Sequence, residues 1–161
     1  MLQLATPRSR ADLVIKWSQD LSRTIDYLET RDDMDVNKLS TMGNSLGAIL
    51  LSSAPAIENR IKVTVLIAGG YSAGDNPPEV SVLTFVRRVT TPVLTINGRY
   101  DYLFPVETAQ KPFFDLFGTA PEDRRHILLN AGHGGLPRTE IINETLSWLD
   151  KYLGPVKTTA K

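Results

Sequence analysis

The sequence has no cysteine. That absence excludes disulfides, thiolate nucleophiles and Cys-ligated zinc together. It also leaves the redox compartment open, because a cysteine-free chain tolerates either. There is no excess of charge: 18 basic and 18 acidic residues give a net charge of zero. The basic residues are scattered, and pairs such as Arg87-Arg88 and Arg124-Arg125 are too short to build the positive surface that neutralises phosphates. Nucleic acid is therefore not an expected partner. No apolar run approaches the roughly 18 residues of a membrane span, and residues 1–10 lack the basic and apolar regions of a signal peptide. A soluble cytoplasmic protein without membrane association is expected. Histidine is scarce too. His126 and His133 have no adjacent carboxylate cluster and do not make a metal-ligand set.

What is present fits one folded unit. The 161 residues are 42% hydrophobic and 22% charged, enough to bury a core without a staple. A single domain over residues 1–161 is expected, with 1–10 as an N-terminal extension and 155–161 as a flexible tail.

Periodicity then sets the elements. In residues 12–30, Leu13, Trp17, Leu21, Ile25 and Leu28 recur about every four positions, as on one helical face. Asp32-Asp33 and Asp35-Val36-Asn37 supply turn chemistry. Strands are expected over 38–42, 61–68, 92–97 and 124–130. Helices are expected over 46–57, 79–88, 106–117 and 138–153, the last with Ile141 or Ile142, Thr145, Leu146, Trp148, Leu149 and Tyr152 on its apolar side. Residues 71–78 read as a polar loop. Strand–helix alternation implies right-handed βαβ units and a mostly parallel sheet of about four strands, covered on both faces in a three-layer αβα sandwich.

In such a sheet, sites gather beyond the carboxyl ends of the strands. Three strands here end in a residue suited to acyl transfer. Gly43-Asn44-Ser45-Leu46-Gly47 matches G-x-S-x-G between a strand and a helix. A serine on so sharp a turn needs small neighbours two positions either side, and its hydroxyl is lifted clear of the sheet. Gly43, Asn44 and Gly47 would form that elbow, and the Leu46 N–H would be the first oxyanion donor. The same five residues also fit a plain βα turn whose serine caps a helix; the strand–turn–helix context favours the elbow.

Asp101 follows the third strand and His133, in Ala131-Gly132-His133-Gly134-Gly135, follows the fourth. An imidazole can take a serine proton and return it, and a carboxylate can hold that imidazole in the required tautomer. Glu107, Asp115 and Asp75 are rival acids. His126 lies inside a strand pattern and reads as a satisfied sheet residue. The order Ser45, Asp101, His133 along successive strand ends is the order of the α/β-hydrolase arrangement.

At these residues the chain resembles a known group. Residues 20–31 followed by residues 43–47 look like the dienelactone-hydrolase and prolyl-oligopeptidase-like serine hydrolases, and more narrowly the acetyl-xylan-esterase-like hydrolases. Residues 97–105 and 148–154 fit the same group. The resemblance spans residues 10–154. It implies the C-terminal half of an α/β-hydrolase fold, with Ser45, Asp101 and His133 as nucleophile, acid and base, and no cofactor. The expected activity is a serine carboxylesterase acting on a small-molecule ester with a short acyl chain, through an acyl-enzyme.

The resemblance also implies a departure. A full domain of that group has about four further strands before this point, and the loop after one of them usually supplies a second oxyanion N–H. Here that donor would come from the N-terminal segment, a side chain such as Tyr71 or Asn44, a water or a neighbouring subunit. The strand over 38–42 would have an open edge, and unpaired edges invite association. A homo-oligomer covering that edge is expected, or an N-terminal segment that does so. The alternative to an esterase is a catalytically weak remnant serving as a binding or assembly module. A peptidase ranks lower, since nothing supplies a pocket for a peptide amine or side chain.

Overall fold

A computed structural model of the chain describes residues 7–71 and 78–156. Helix α1 spans Pro7–Glu29 and is followed by strand β1, Ser40–Asn44. The chain then alternates through α2 (Leu46–Leu51), β2 (Val63–Ile67), α3 (Val82–Val86) and β3 (Val93–Gly98). It closes with α4 (Lys111–Asp115), β4 (Arg124–Leu129) and α5 (Arg138–Leu153). The four strands form one parallel sheet in the order β1-β2-β3-β4. This is the α/β architecture that the alternation predicts.

Two apolar clusters sandwich the sheet. Strand side chains alternate between faces. Val63, Val65 and Ile67 of β2 and Leu94 and Ile96 of β3 therefore share one face, where they pack on Trp148 of α5. Leu66 and Val93 point the other way, against Ala48, Val86, Phe113 and Phe117. β2 and β3 are buried along their whole length, as expected for inner strands of a covered parallel sheet.

Helix α1 joins through a third cluster, in which Ile25 meets Ala54 and Ile61 with Trp17 and Leu21 alongside. Leu13 does not join them and is 47% exposed. A spacing of four gains about 40° per step on a 3.6-residue helix, so Leu13 lies about 120° around the axis from Ile25. α1 also absorbs residues 7–10, which were expected as an extension. Arg60 pins its C-terminal end through ion pairs to Asp26 (2.9 Å) and Glu29 (3.0 Å), and is itself held by Glu58 (2.6 Å).

Other elements differ from expectation for local reasons. β1 begins at Ser40 because a 3₁₀ turn, Val36–Lys38, capped by the Asp35 side chain, takes the residues before it. It continues through Gly43 and Asn44, which pair with Leu66 and Ile67. α2 stops at Leu51, short of residue 57. Ser52 and Ser53 bond back to the carbonyls of Ile49 and Leu50, and Pro55 has no N–H to extend the ladder. The helix expected over 79–88 is split into a 3₁₀ turn, Pro78–Val80, and α3, because Ser81 is extended. The helix over 106–117 opens as a π-turn, Val106–Gln110, and only then becomes α4. Leu146 of α5 is 54% exposed; it is one residue around from buried Thr145, off the stripe made by Ile141, Thr145 and Trp148. The loop over 72–77, with Asp75, and the tail from 157 lie outside the described residues.

Among the described residues no strand pairs with the outer side of β1. Thr41 faces inward and bonds Thr64, while Met42 is 62% exposed. No helix of the described residues is long and apolar enough to cross a membrane.

Candidate active site

Parallel pairing puts all four strand ends on one side, and the first, third and fourth carry the three predicted residues there. Ser45 connects β1 to α2 with φ 52° and ψ −113°. A non-glycine residue at positive φ is held only where its surroundings over-determine it. Here the Ser45 N–H donates to the Ile67 carbonyl (2.9 Å), and its own carbonyl accepts from Ala48 and Ile49. The turn is so tight that a Cβ on Gly43 would lie 2.3 Å from the Gly47 carbonyl oxygen. Gly47 differs: a Cβ there meets nothing within 4 Å. The small-residue demand is real at Gly43 and is not imposed by space at Gly47, whose missing side chain would point into the open. Asn44 is exposed at the end of β1, and Leu46 opens α2.

Asp101 follows β3 in a loop that continues the sheet pairing. Arg99 N–H donates to the Leu129 carbonyl and Tyr100 N–H to that of Ala131. A Cβ on Gly98 would lie 2.2 Å from the Gly132 carbonyl oxygen, so glycine permits the Asp101 and His133 loops to touch. The Asp101 side chain is fully buried. One carboxylate oxygen, Oδ1, accepts from the N–H groups of Leu103 (2.9 Å) and Phe104 (3.0 Å). The other, Oδ2, lies 2.8 Å from His133 Nδ1. These donors satisfy a buried carboxylate that would otherwise be costly.

His133 follows β4, and its side chain is 17% exposed. Its Nε2 lies 2.9 Å from Ser45 Oγ, and the Phe104 ring packs 5.6 Å from the imidazole. The tautomer follows from the partners. An ionised carboxylate only accepts, so Nδ1 carries the proton toward Asp101, and Nε2 is left to accept from the Ser45 hydroxyl. Hydroxyl, imidazole and carboxylate form one hydrogen-bonded relay.

The remaining candidates fall elsewhere. Glu107 sits in the π-turn and Asp115 in α4, both exposed. His126 does sit in β4, opposite Thr95, with its ring on Phe114. It is not satisfied as expected, because its buried Nε2 has no partner among the described residues. Burial lowers its pKa, with Asp115 acting weakly the other way. Tyr71 packs against the cluster of Leu66 and Phe113, and its N–H donates to the Ala109 carbonyl.

Two buried amides were missed in the sequence. Asn97 Nδ2 donates to the Gly69 carbonyl at 2.6 Å, tying the end of β3 to that of β2. Gln110 Nε2 donates to the carbonyls of Gly98 (2.8 Å) and Phe104 (2.7 Å). Asn97 at the close of an apolar strand was a usable signal. Gln110 was hidden in an ordinary helical pattern.

No family model matches the sequence, and no curated protein is similar enough to count as a relative. Solved structures do match. A cold-adapted esterase from an Arctic intertidal metagenomic library superposes with a TM-score of 0.75 at 21% identity, over 91% of this chain and 63% of that one. Est1E from Butyrivibrio proteoclasticus, solved with ferulic acid, matches at 0.62 and 18% identity, over 82% and 65%. A protein assigned as a dienelactone hydrolase from Klebsiella pneumoniae matches at 0.68 and 17%, over 83% and 60%. The chain has the α/β-hydrolase fold. It spans about three fifths of the length of these neighbours, so its α/β-hydrolase architecture is partial, with four strands in the sheet.

Proposed function

We propose that the chain is a serine carboxylesterase that hydrolyses short-chain acyl esters without a cofactor. The observation that carries this reading is the relay itself. Ser45 Oγ, His133 and Asp101 are joined by contacts of 2.9 and 2.8 Å on a serine held at positive φ.

The chemistry follows from those contacts. Ser45 Oγ attacks the ester carbonyl carbon as its proton passes to His133 Nε2. The tetrahedral oxyanion accepts a hydrogen bond from the Leu46 N–H, which as a first-turn donor has no intrahelical acceptor. His133 then gives its proton to the leaving alkoxide, and an acyl-Ser45 ester remains. Water, deprotonated by His133, attacks that ester, and the proton returns to Ser45 Oγ as the acid leaves. Asp101 stays ionised throughout and holds His133 in register. A second oxyanion donor is assigned to no residue of this chain.

The test is covalent labelling by a fluorophosphonate together with turnover of acetyl and butyryl esters. The wild-type chain should label at Ser45, and Ser45→Ala should lose labelling and roughly 10⁶-fold in rate. Undiminished turnover in Ser45→Ala would sink the proposal.

A second reading draws on the partial span and the open outer edge of β1: a binding or assembly module with weak catalysis. Folded protein that fails to label would favour it. Under either reading we propose that a second copy of the chain covers the β1 edge, because among the described residues no strand pairs with it, and an unpaired edge with Met42 exposed favours association.

A further inference from the structure

Gln110 is 2% exposed, yet the mechanism above gives it no part. Its backbone lies in the π-turn Val106–Gln110, whose N–H of Gln110 reaches back five residues to the Pro105 carbonyl (3.2 Å). Pro112 accounts for the wider turn. With no N–H, it cannot donate to the Thr108 carbonyl, so an α-helical ladder through this point would be broken in any case. The extra residue puts both Ala109 and Gln110 on the buried side, whereas Glu107 and Thr108 stay exposed. Such widened turns recur at functional sites.

The buried amide is spent on one loop. Its Nε2 donates to Gly98 O, at the base of the Asp101 loop, and to Phe104 O, at the far end. Between those two carbonyls sit Asp101 and the two N–H groups, of Leu103 and Phe104, that hold Asp101 Oδ1. Gln110 Oε1 has no partner among the described residues. An unpaired buried amide oxygen is destabilising; an apolar residue of the same volume would avoid that cost but would strip the Gly98 and Phe104 carbonyls of this donor.

We infer that Gln110 is a positioning residue: it cinches the Asp101 loop closed, and through Asp101 it sets the angle of His133 toward Ser45. This deepens the esterase reading and rests on it only for the kinetic consequence. The geometric claim stands apart from it.

The experiment compares wild type, Gln110→Met and Thr145→Val. Met matches glutamine in volume but cannot donate. Thr145 is buried on α5 with an unpartnered hydroxyl and reports on generic core perturbation. Two signals are read: the exchange-protected His133 Nδ1–H proton by NMR, and the rate of fluorophosphonate labelling at Ser45. The expected result is loss of the Nδ1–H signal and about 10²-fold slower labelling in Gln110→Met, on the scale of a misplaced catalytic group. Thr145→Val should keep both signals, and thermal melts should show both variants folded. An intact Nδ1–H signal with wild-type labelling in Gln110→Met overturns the inference and leaves the esterase reading standing. Loss of the signal in Gln110→Met, in a protein whose wild type never labels, upholds the positioning role and removes the esterase. A wild type with no protected Nδ1–H signal overturns the inference at its root. So does a Gln110→Met that does not fold, which would make the residue structural.

Discussion

Ser45 Oγ lies 2.9 Å from His133 Nε2, although 88 residues separate them in the chain. The contact closes because β1 and β4, the two outer strands of the sheet, deliver both loops to the same side. The Asp101 loop bridges the gap from β3, in backbone contact with the His133 loop at Gly98. A relay built across a whole sheet depends on the register of every strand between its members. Its disruption should therefore be readable far from the three side chains.

The two glycines of the elbow should behave differently. Gly43→Ala forces a Cβ to within 2.3 Å of backbone and should displace the Ser45 turn, with loss of labelling and a lower Tm. Gly47→Ala meets open space in a helix and should be neutral, or stabilising by up to about 1 kcal/mol. Thermal melts and labelling rates of the pair check this. Equal damage from both would show that the pattern, not the space, sets the requirement.

Chain-length preference follows from the surroundings of the relay. Leu46, Tyr100, Tyr102 and Leu103 near Ser45 and Asp101 are exposed instead of forming the walls of a pocket. A groove of about 510 Å³, lined by residues such as Val14, Ile57 and Phe85, does not include the relay. A long acyl chain needs an enclosing apolar site. Acetate and butyrate esters should turn over faster than decanoate esters in a rate survey, and the reverse order would refute the open-site argument.

Acid should weaken the fold through Glu58. The Arg60 guanidinium bonds its carboxylate and holds the pKa down, from 4.5 to about 2. Asp26 is lowered by the same guanidinium. A carboxylate whose folded pKa is depressed contributes stability that is complete above its unfolded value. That contribution is lost as pH falls from about 4.5 toward 2. Urea titrations between pH 6 and pH 2 should show stability falling over this window. Glu58→Gln should be less stable at pH 6 and show a shallower acid slope. An unchanged slope would place the acid sensitivity elsewhere.

Association through β1 is checked by molar mass. Light scattering should give a dimer, and Met42→Lys, which puts a charge on the exposed edge strand, should shift it to monomer. A monomeric wild type at all concentrations would dismiss the second copy as the cover of this edge.

Much of this molecule was legible from local pattern. Four short runs, each closed by glycine or a polar turn, announced four strands, and Arg138–Leu153 was bounded to the residue. Ser45, Asp101 and His133 stood out because each follows a strand, and strand ends are where a parallel sheet gathers its chemistry. The places where the pattern misled have physical causes. A repeat of four drifts on a helix, which took Leu13 off the buried face. Back-bonding serines and Pro55 stopped α2 early. His126 sits in its strand as read, but without the partner expected for it.

By itself the sequence determined where strands and turns fall, and so which residues sit at strand ends, because those depend on side-chain period and on glycine and proline nearby. Only the tertiary structure decided which of those ends meet. It alone revealed that Gly98 lets two loops touch, that Gly43 is crowded while Gly47 is free, and that Gln110 and Asn97 reach carbonyls on neighbouring loops. Those relations are contacts between residues distant along the chain. They exist only once parallel pairing has aligned four strands and brought their carboxyl ends together.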